Sequence, residues 1–417
     1  MARCGRVIFA LFVLPVAACA ESNEPSSVGA AALNLWKPSG LRPVRVAIVD
    51  GARRVRVRSK GTIYLVNEDG VRVDALEAKK WHDVEYRAPN KLVVAKKTCP
   101  PGFELESDGK HALALSCHEN GAWSAPRNYP GLFELQTTES ALRVHNLVDI
   151  EQYVASVVAY EIWPTFQTET YRAQAVVART YALYEMLQRS GRSYDVRATQ
   201  SSQVYRGLRE DVVGRRAAGA ARYTRGIVLS YVHHGEEELF CTYYSAACGG
   251  VTQSATVFGE CGDIPPLAGG VHCDYCAIAP GDTYRWGPVR MKLRDVYDRL
   301  TKRYPDLRAL GGLRCIEVED NGTAGRPVSF RLSGSNGKSE SMPAERFRMT
   351  VGPDKLKSSD FKISCAGGDI TFSDGHGFGH GIGLCQWGAE GQARHGRRAD
   401  QILLYYFPGA RIKKAYD

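Results

Sequence analysis

In the stretch IEQYVASVVAYEIWP, residues 150–164, a carboxylate stands where an apolar side chain is expected. Ile150, Tyr153, Val154, Val157 and Val158 fall at i, i+3, i+4, i+7 and i+8, the stripe that an amphipathic helix turns toward a core. Glu161 follows at i+11 on the same stripe, and Pro164 ends the helix within a turn. Desolvation and the negative end of the helix dipole both penalise a charged Glu161, so a raised pKa is expected. A carboxyl group still protonated near neutral pH is equipped for general acid catalysis. The competing reading is a frayed helix end, with Glu161 in solvent or paired to Arg179.

Two further patterns carry chemistry. In GHGFGHGIG every second residue from Gly375 to Gly383 is glycine. If extended, one face is bare backbone that a bulky ligand can approach, and the other carries His376, Phe378, His380 and Ile382. Tight strand packing explains the same spacing. No Lys-Ser/Thr follows, so this is not a phosphate loop. The chain also has 12 cysteines. Beyond Cys4 and Cys19 an even set remains, which suggests disulfides if the protein is exported. Cys99 and Cys117 bracket PPGFELESDGKHALALS and are expected to form a local bridge. In HCDYC, His272, Cys273 and Cys276 join Cys241, Cys248 or Cys261 either around zinc or in disulfides, the simpler reading in an oxidising compartment. G-x-S-x-G and H-E-x-x-H are both absent, which argues against a protease.

These groups need elements to place them. From Val44 the text VRVAIVDGARRVRVRS alternates around an Asp-Gly turn, a hairpin signal. Short strands continue, and residues 43–145 read as a strand-rich N-terminal region. From Val148 to Arg189 the period is helical, and a second helix begins near Thr168 and stops before Gly191, with Glu169, Arg172 and Arg179 on one side. Strand-like runs follow at Gly226 to Tyr231 and Leu239 to Ser245. Residues 287–357 read as an inserted α+β segment with a helix around 291–303, and a last helix begins near Ala399. The fold class is α+β: a strand-rich N-terminal unit, a central helical pair carrying Glu161, and a β-rich remainder. The main domain is placed at 146–417.

The N-terminus reads as a leader. MARCGR is basic, and VIFALFVLPVAA is too short to span a bilayer as a stable helix. Val16-Ala17-Ala18-Cys19 resembles a lipoprotein cleavage site, making residues 1–19 a signal peptide with lipid on Cys19; cleavage after Ala18-Cys19-Ala20 is the alternative. Residues 20–42 read as a flexible tether. A hydrophobic content of 44% leaves ample core material, and the net charge of +9 is spread along the chain. That spread argues against a nucleic-acid arm and suits a polyanionic envelope polymer.

Several blocks in one order carry a resemblance. They are YPGLFELQTTESALRVHNLVDIEQYVASVVAYEI, YRAQAVVARTYAL, TQSSQVYRG, TRGIVLSY, YYSAACGG and GHGFGHGIGLCQWGAEGQARHG, with ILLYYFPGA after them. Over roughly residues 129–276 and 372–411 the chain resembles the stage II sporulation protein D family, also called the amidase enhancer family. Members include lytic transglycosylases that cut peptidoglycan glycan strands and others described as activators of cell-wall amidases; some are zinc-binding. The resemblance implies that Glu161 is the catalytic acid. A second carboxylate is not required, because the muramic acid 6-hydroxyl attacks its own anomeric carbon and leaves a 1,6-anhydro sugar, although Asp195 and Glu169 are available nearby. Arg172, Gln174, Arg179, Gln203, Tyr205, His380 and Gln386 match the family's blocks and become candidate glycan contacts, each with a structural role as alternative. Arg172 stands where lysine is commoner, and His376 where arginine is often found. Cys248 and Cys276 match a recurring pair and are expected to bond, by disulfide first and zinc second. The implied protein is an exported, lipid-anchored lytic transglycosylase with peptidoglycan as partner and no required cofactor. The alternative is a glycan-binding activator of a wall amidase.

Overall fold

The alternating stretch from Val44 forms strands as its period requires. The computed structural model describes residues 41–199, 202–258, 264–322 and 325–417. The leader, the lipidation expected at Cys19, the tether through residue 40, and Cys261 lie outside the described residues. Two compact units are described in turn. The first comprises the described residues up to Thr242 with Gly396–Leu404 and Gly409–Asp417; the second comprises Tyr243–His395 with Tyr405–Pro408.

In the first unit β1 (Val44–Ala52) and β2 (Arg54–Ser59) do not form the hairpin expected around Asp50-Gly51. Instead β1 pairs antiparallel with Leu142–Val148 and parallel with Val196–Arg197, whereas β2 pairs with His82–Ala88 and Leu113–Glu119 in a different sheet. Gly51, at φ 110°, takes the left-handed conformation where the chain leaves one sheet for the other. The first sheet runs Val196–Arg197, β1, Leu142–Val148, Leu132–Thr137, Glu104–Ser107, Ile63–Val66, Arg72–Leu76. Because β1 is hydrogen-bonded to strands on both sides of the helical pair, the strand-rich stretch 43–145 does not close on itself. The first compact unit continues through the helices to Thr242.

The second sheet runs Ala122–Trp123, Leu113–Glu119, β2, His82–Ala88, Lys91–Val94, Lys97–Cys99. That order separates the cysteines expected to form a local bridge. Cys99 and Cys117 are four strand spacings apart along the sheet, roughly 19 Å at about 4.8 Å each, and both are free thiols. The stretch between them is not a closed loop, because Glu104–Ser107 crosses into the first sheet. Burial, with Glu119 beside it, pushes the Cys117 thiol up to about 11.

Three helices complete this unit: α1 (Ile150–Glu161), α2 (Thr168–Gln188) and α3 (Val212–Tyr223), which pack on one another. Asp149 caps α1 through its side chain, which accepts the amide hydrogens of Glu151 and Gln152. All five stripe residues of α1 are buried as their spacing requires. In α2 the run from Ala173 to Leu183 is buried on every face, so a single stripe understates how central that helix is.

The second unit holds the α+β segment expected at 287–357, extended at both ends. Helices α4 (Leu293–Arg303) and α5 (Ala344–Val351) cover strands Leu313–Asn321, Pro327–Gly334 and Ser339–Pro343. Strand Asp369–Ser373 joins Val289–Lys292 and Lys362–Ala366 in a second small sheet. Trp286, Phe330, Phe347, Phe361 and Phe372 lie in one core. A disulfide, Cys315–Cys365, with Cα atoms 5.6 Å apart, ties the sheets across 50 residues of sequence. Closing a loop of that length restricts the unfolded chain by about 4 kcal/mol on the entropy model. Cys315→Ser is therefore expected to lower the urea midpoint of unfolding, and peptide mapping should recover the 315–365 bridge from untreated protein. A midpoint unchanged by the substitution would contradict the assignment.

Candidate active site

Glu161 closes α1, and the next residue leaves helical geometry at φ −110°, ψ 150°. The carboxylate is partly buried, and its Oε1 accepts the backbone N–H of Val204 at 2.7 Å. Val204 belongs to the SSQVY block, whose described part runs along α1 and is fastened to it. The Tyr153 hydroxyl donates to Gln203 Oε1 at 3.0 Å, the Ser156 hydroxyl to the Gly207 carbonyl, and Arg209 to the Ala159 carbonyl at 2.8 Å. Tyr205 stacks on Tyr153 with ring centroids 5.2 Å apart and donates to Asn146. Asn146 in turn donates to the carbonyls of Pro130 and Leu132. The block therefore acts as a brace holding Glu161 to strands and helix together. Gln203 and Tyr205, expected as glycan contacts, are buried parts of that brace.

Arg179 does not pair with Glu161. It is completely buried and donates to both carboxylate oxygens of Glu151, at 3.0 and 2.6 Å. It also donates to the carbonyls of Ala221 and Ile227 and to Thr224 Oγ1. Glu151 further accepts from the Gly226 amide and the Tyr416 hydroxyl. Burial pushes the Glu151 carboxyl up, but its bonds from Arg179 and the others hold it below the ordinary range. A depressed carboxyl stabilises the fold above its unfolded pKa of about 4.3, and that stability is lost as pH falls through the depressed value. Urea titrations from neutral pH into this acid range should show a steep loss for the native chain and a shallower one for Glu151→Gln. Parallel slopes would contradict the role given to Glu151.

The other carboxylates named from sequence are committed elsewhere. Asp195 is buried and accepts from Arg42, from Arg45 and from the Arg45 amide, which together hold it below its usual range despite desolvation. Glu169 pairs with Arg172 and accepts the Ala399 amide at 2.8 Å. Arg172, partly exposed, also lies 3.5 Å from the centroid of Tyr223. Gln174 is fully buried.

Partly exposed groups beside Glu161 went unnoticed in the sequence. Arg206 and Arg209 lie 5.7 and 5.5 Å from the ring centroid of Tyr160, and Trp163 is two residues beyond the glutamate. Aromatic and guanidinium groups of this kind suit a sugar chain bearing carboxylates. The only sequence signal was their adjacency to Glu161 and SSQVY.

His380 and Gln386 belong to the second unit and are buried there. Burial pulls the His380 imidazole down to about 4, so it is neutral at pH 7, and its Nδ1 accepts the Ile382 amide at 3.0 Å. The glycine run is not an extended strand. Gly377, Gly379, Gly381 and Gly383 all have positive φ, and a Cβ on Gly383 would sit 2.2 Å from the Tyr243 carbonyl oxygen. The alternation serves backbone turns and close packing rather than one bare face.

Cys248 and Cys276 are not disulfide-bonded: their sulfurs stand 3.8 Å apart. Together with Cys273 and Cys385 they form a buried cluster whose four sulfurs lie within 4.8 Å of one another. His272 is exposed and outside it, and its carbonyl accepts the Tyr405 hydroxyl. Cys385 was the missed member, remote in sequence from HCDYC.

A strand-rich α+β scaffold carrying a braced helix-terminal glutamate defines a class, and comparison with known proteins specifies it. A family model described as stage II sporulation protein matches residues 138–231. An uncharacterized protein of Brachyspira hyodysenteriae is 33% identical over 274 residues, covering 64% of this chain and 68% of that protein. Stage II sporulation protein D of Bacillus subtilis is 25% identical over 295 residues, 64% of this chain and 75% of the relative. Amidase enhancer of Bacillus subtilis is 31% identical over 97 residues, 22% of this chain and 14% of the relative. The chain belongs to the stage II sporulation protein D and amidase enhancer family. Among the described residues no helix is long and apolar enough to cross a membrane.

Proposed function

We propose that this protein is an exported peptidoglycan lytic transglycosylase, held to the membrane by lipid on Cys19, with Glu161 as its one acid–base group. The observation that carries the reading is the Val204 amide donating to Glu161 Oε1. It holds Glu161 Oε1 against the SSQVY block, and the carboxyl group so held carries the transferable proton. Glu161 gives that proton to the glycosidic oxygen as the bond from the muramic anomeric carbon breaks. The 6-hydroxyl oxygen of the same sugar closes on that carbon, and its proton passes to the carboxylate, which restores the acid. No second carboxylate enters, in keeping with Asp195 and Glu169 being held in other bonds. Arg172, Arg206 and Arg209 are assigned as contacts for the substrate's carboxylates, while Gln174, Arg179, Gln203 and Tyr205 belong to the scaffold of the same unit.

Cleavage in water enriched in ¹⁸O tests the chemistry. An intramolecular transfer incorporates no solvent oxygen into the anhydro end, whereas a hydrolase labels every new reducing end. Labelled ends would contradict the reading. The second reading, a glycan-binding activator of a wall amidase, is favoured by the likeness to a protein named amidase enhancer. It is distinguished by the absence of any new glycan end.

A further inference from the structure

We infer that Cys248, Cys273, Cys276 and Cys385 are the four thiolate ligands of a structural zinc ion. Zinc bound by four sulfurs at about 2.3 Å has sulfur–sulfur edges of about 3.8 Å. The Cys248–Cys276 separation is 3.8 Å, and no pair among the four exceeds 4.8 Å. A disulfide would need its sulfurs at about 2.05 Å, and the four thiols are unbonded. All four are buried, so each corner of the tetrahedron is supplied by protein and none is left for water or substrate. A closed set of this kind is structural rather than catalytic.

The surroundings suit bound thiolates. The backbone N–H groups of Cys248 and Gly388 donate to Cys385 Sγ at 3.2 and 3.3 Å, and the Tyr406 hydroxyl lies 3.0 Å from Cys273 Sγ. Donors aimed at sulfur orient metal-bound thiolates and spread their charge. Zinc uptake releases one proton from each thiol and leaves a net charge of about −2 on the tetrathiolate. Arg326, buried and without an ion pair among the described residues, donates to the Cys248 carbonyl and supplies charge of the opposite sign.

The ion would join segments that sequence keeps apart. Cys248 and Cys385 are 137 positions apart; Cys385 lies in the short parallel pairing of Tyr244–Ser245 with Leu384–Cys385, and Cys248 follows it shortly after Ser245. Cys385 is also the N-cap of helix α6 (Gln386–Arg394). Zinc at this point fixes the end of the glycine run and the start of the helix that Gln386 opens. The site stands whether or not the protein cleaves glycans.

Elemental mass spectrometry of the full-length chain, purified without chelator or added metal, tests the site. About one zinc per chain is expected, falling to near zero in Cys385→Ser and unchanged in His272→Ala. Native alkylation with iodoacetamide should spare the four cysteines until a strong chelator is present. Cobalt(II) exchanged into the chain should show the intense thiolate-to-metal absorption of a tetrathiolate centre. Should Cys385→Ser fail to fold, the zinc content and alkylation pattern of the native chain still decide. Disulfides among the four, their ready alkylation in the native chain, or a metal content at background would overturn the assignment.

Discussion

Glu161→Gln should lower the formation of anhydro-muramic ends by roughly 10²–10⁴-fold, the usual contribution of a general acid. Glutamine keeps the size of the side chain, and its amide oxygen still accepts the Val204 N–H. The brace from Ser202 to Arg209 and the stripe of α1 are untouched, so the urea midpoint and glycan binding should survive. What disappears is the proton. The fall should therefore appear in kcat with little change in KM, because the lost interaction belongs to the transition state. A Glu161 that served only as a helix-end acceptor gives the opposite pattern: cleavage per folded molecule unchanged, with any effect confined to stability.

The second large effect is expected at Arg179. Arg179→Met removes the guanidinium and leaves the buried Glu151 without its ion-pair partner, holding only the Gly226 amide and the Tyr416 hydroxyl, a loss of about 3–5 kcal/mol for one partner of a buried pair. The consequence spreads, since Arg179 bonds to residues after α3 and at the start of Ile227–His233, and Glu151 holds Tyr416 near the C-terminus. Pairing Arg179→Met with Glu151→Gln should recover part of the stability, and a double-mutant cycle measures that coupling. The family resemblance offered Arg179 as a glycan contact. If that were its role, KM would rise while the denaturation midpoint stayed in place.

Local pattern carried much of the fold, and its failures have identifiable causes. The stripe of α1 was legible because helical period and burial agree at Ile150, Tyr153, Val154, Val157 and Val158. The Asp50-Gly51 hairpin failed because a turn signal says where a chain bends, not which strand it then joins. Cys99 and Cys117 failed for a related reason: closeness in sequence meant little once Glu104–Ser107 crossed to the other sheet. Cys315–Cys365 and Cys385 went unseen because their partners are fixed by tertiary packing, which no spacing rule encodes. The carboxylate at Glu161 was visible as an exception to its own stripe. Its brace was not, since the block SSQVY meets α1 only in three dimensions.

The most direct test is to incubate the purified protein alone with peptidoglycan glycan strands and count their ends by mass spectrometry. Anhydro-muramic ends should accumulate in proportion to time and protein concentration, without any amidase present. No new ends from the native protein, together with faster stem-peptide release when a wall amidase is added, would contradict the transglycosylase reading and leave Glu161 as part of a binding surface.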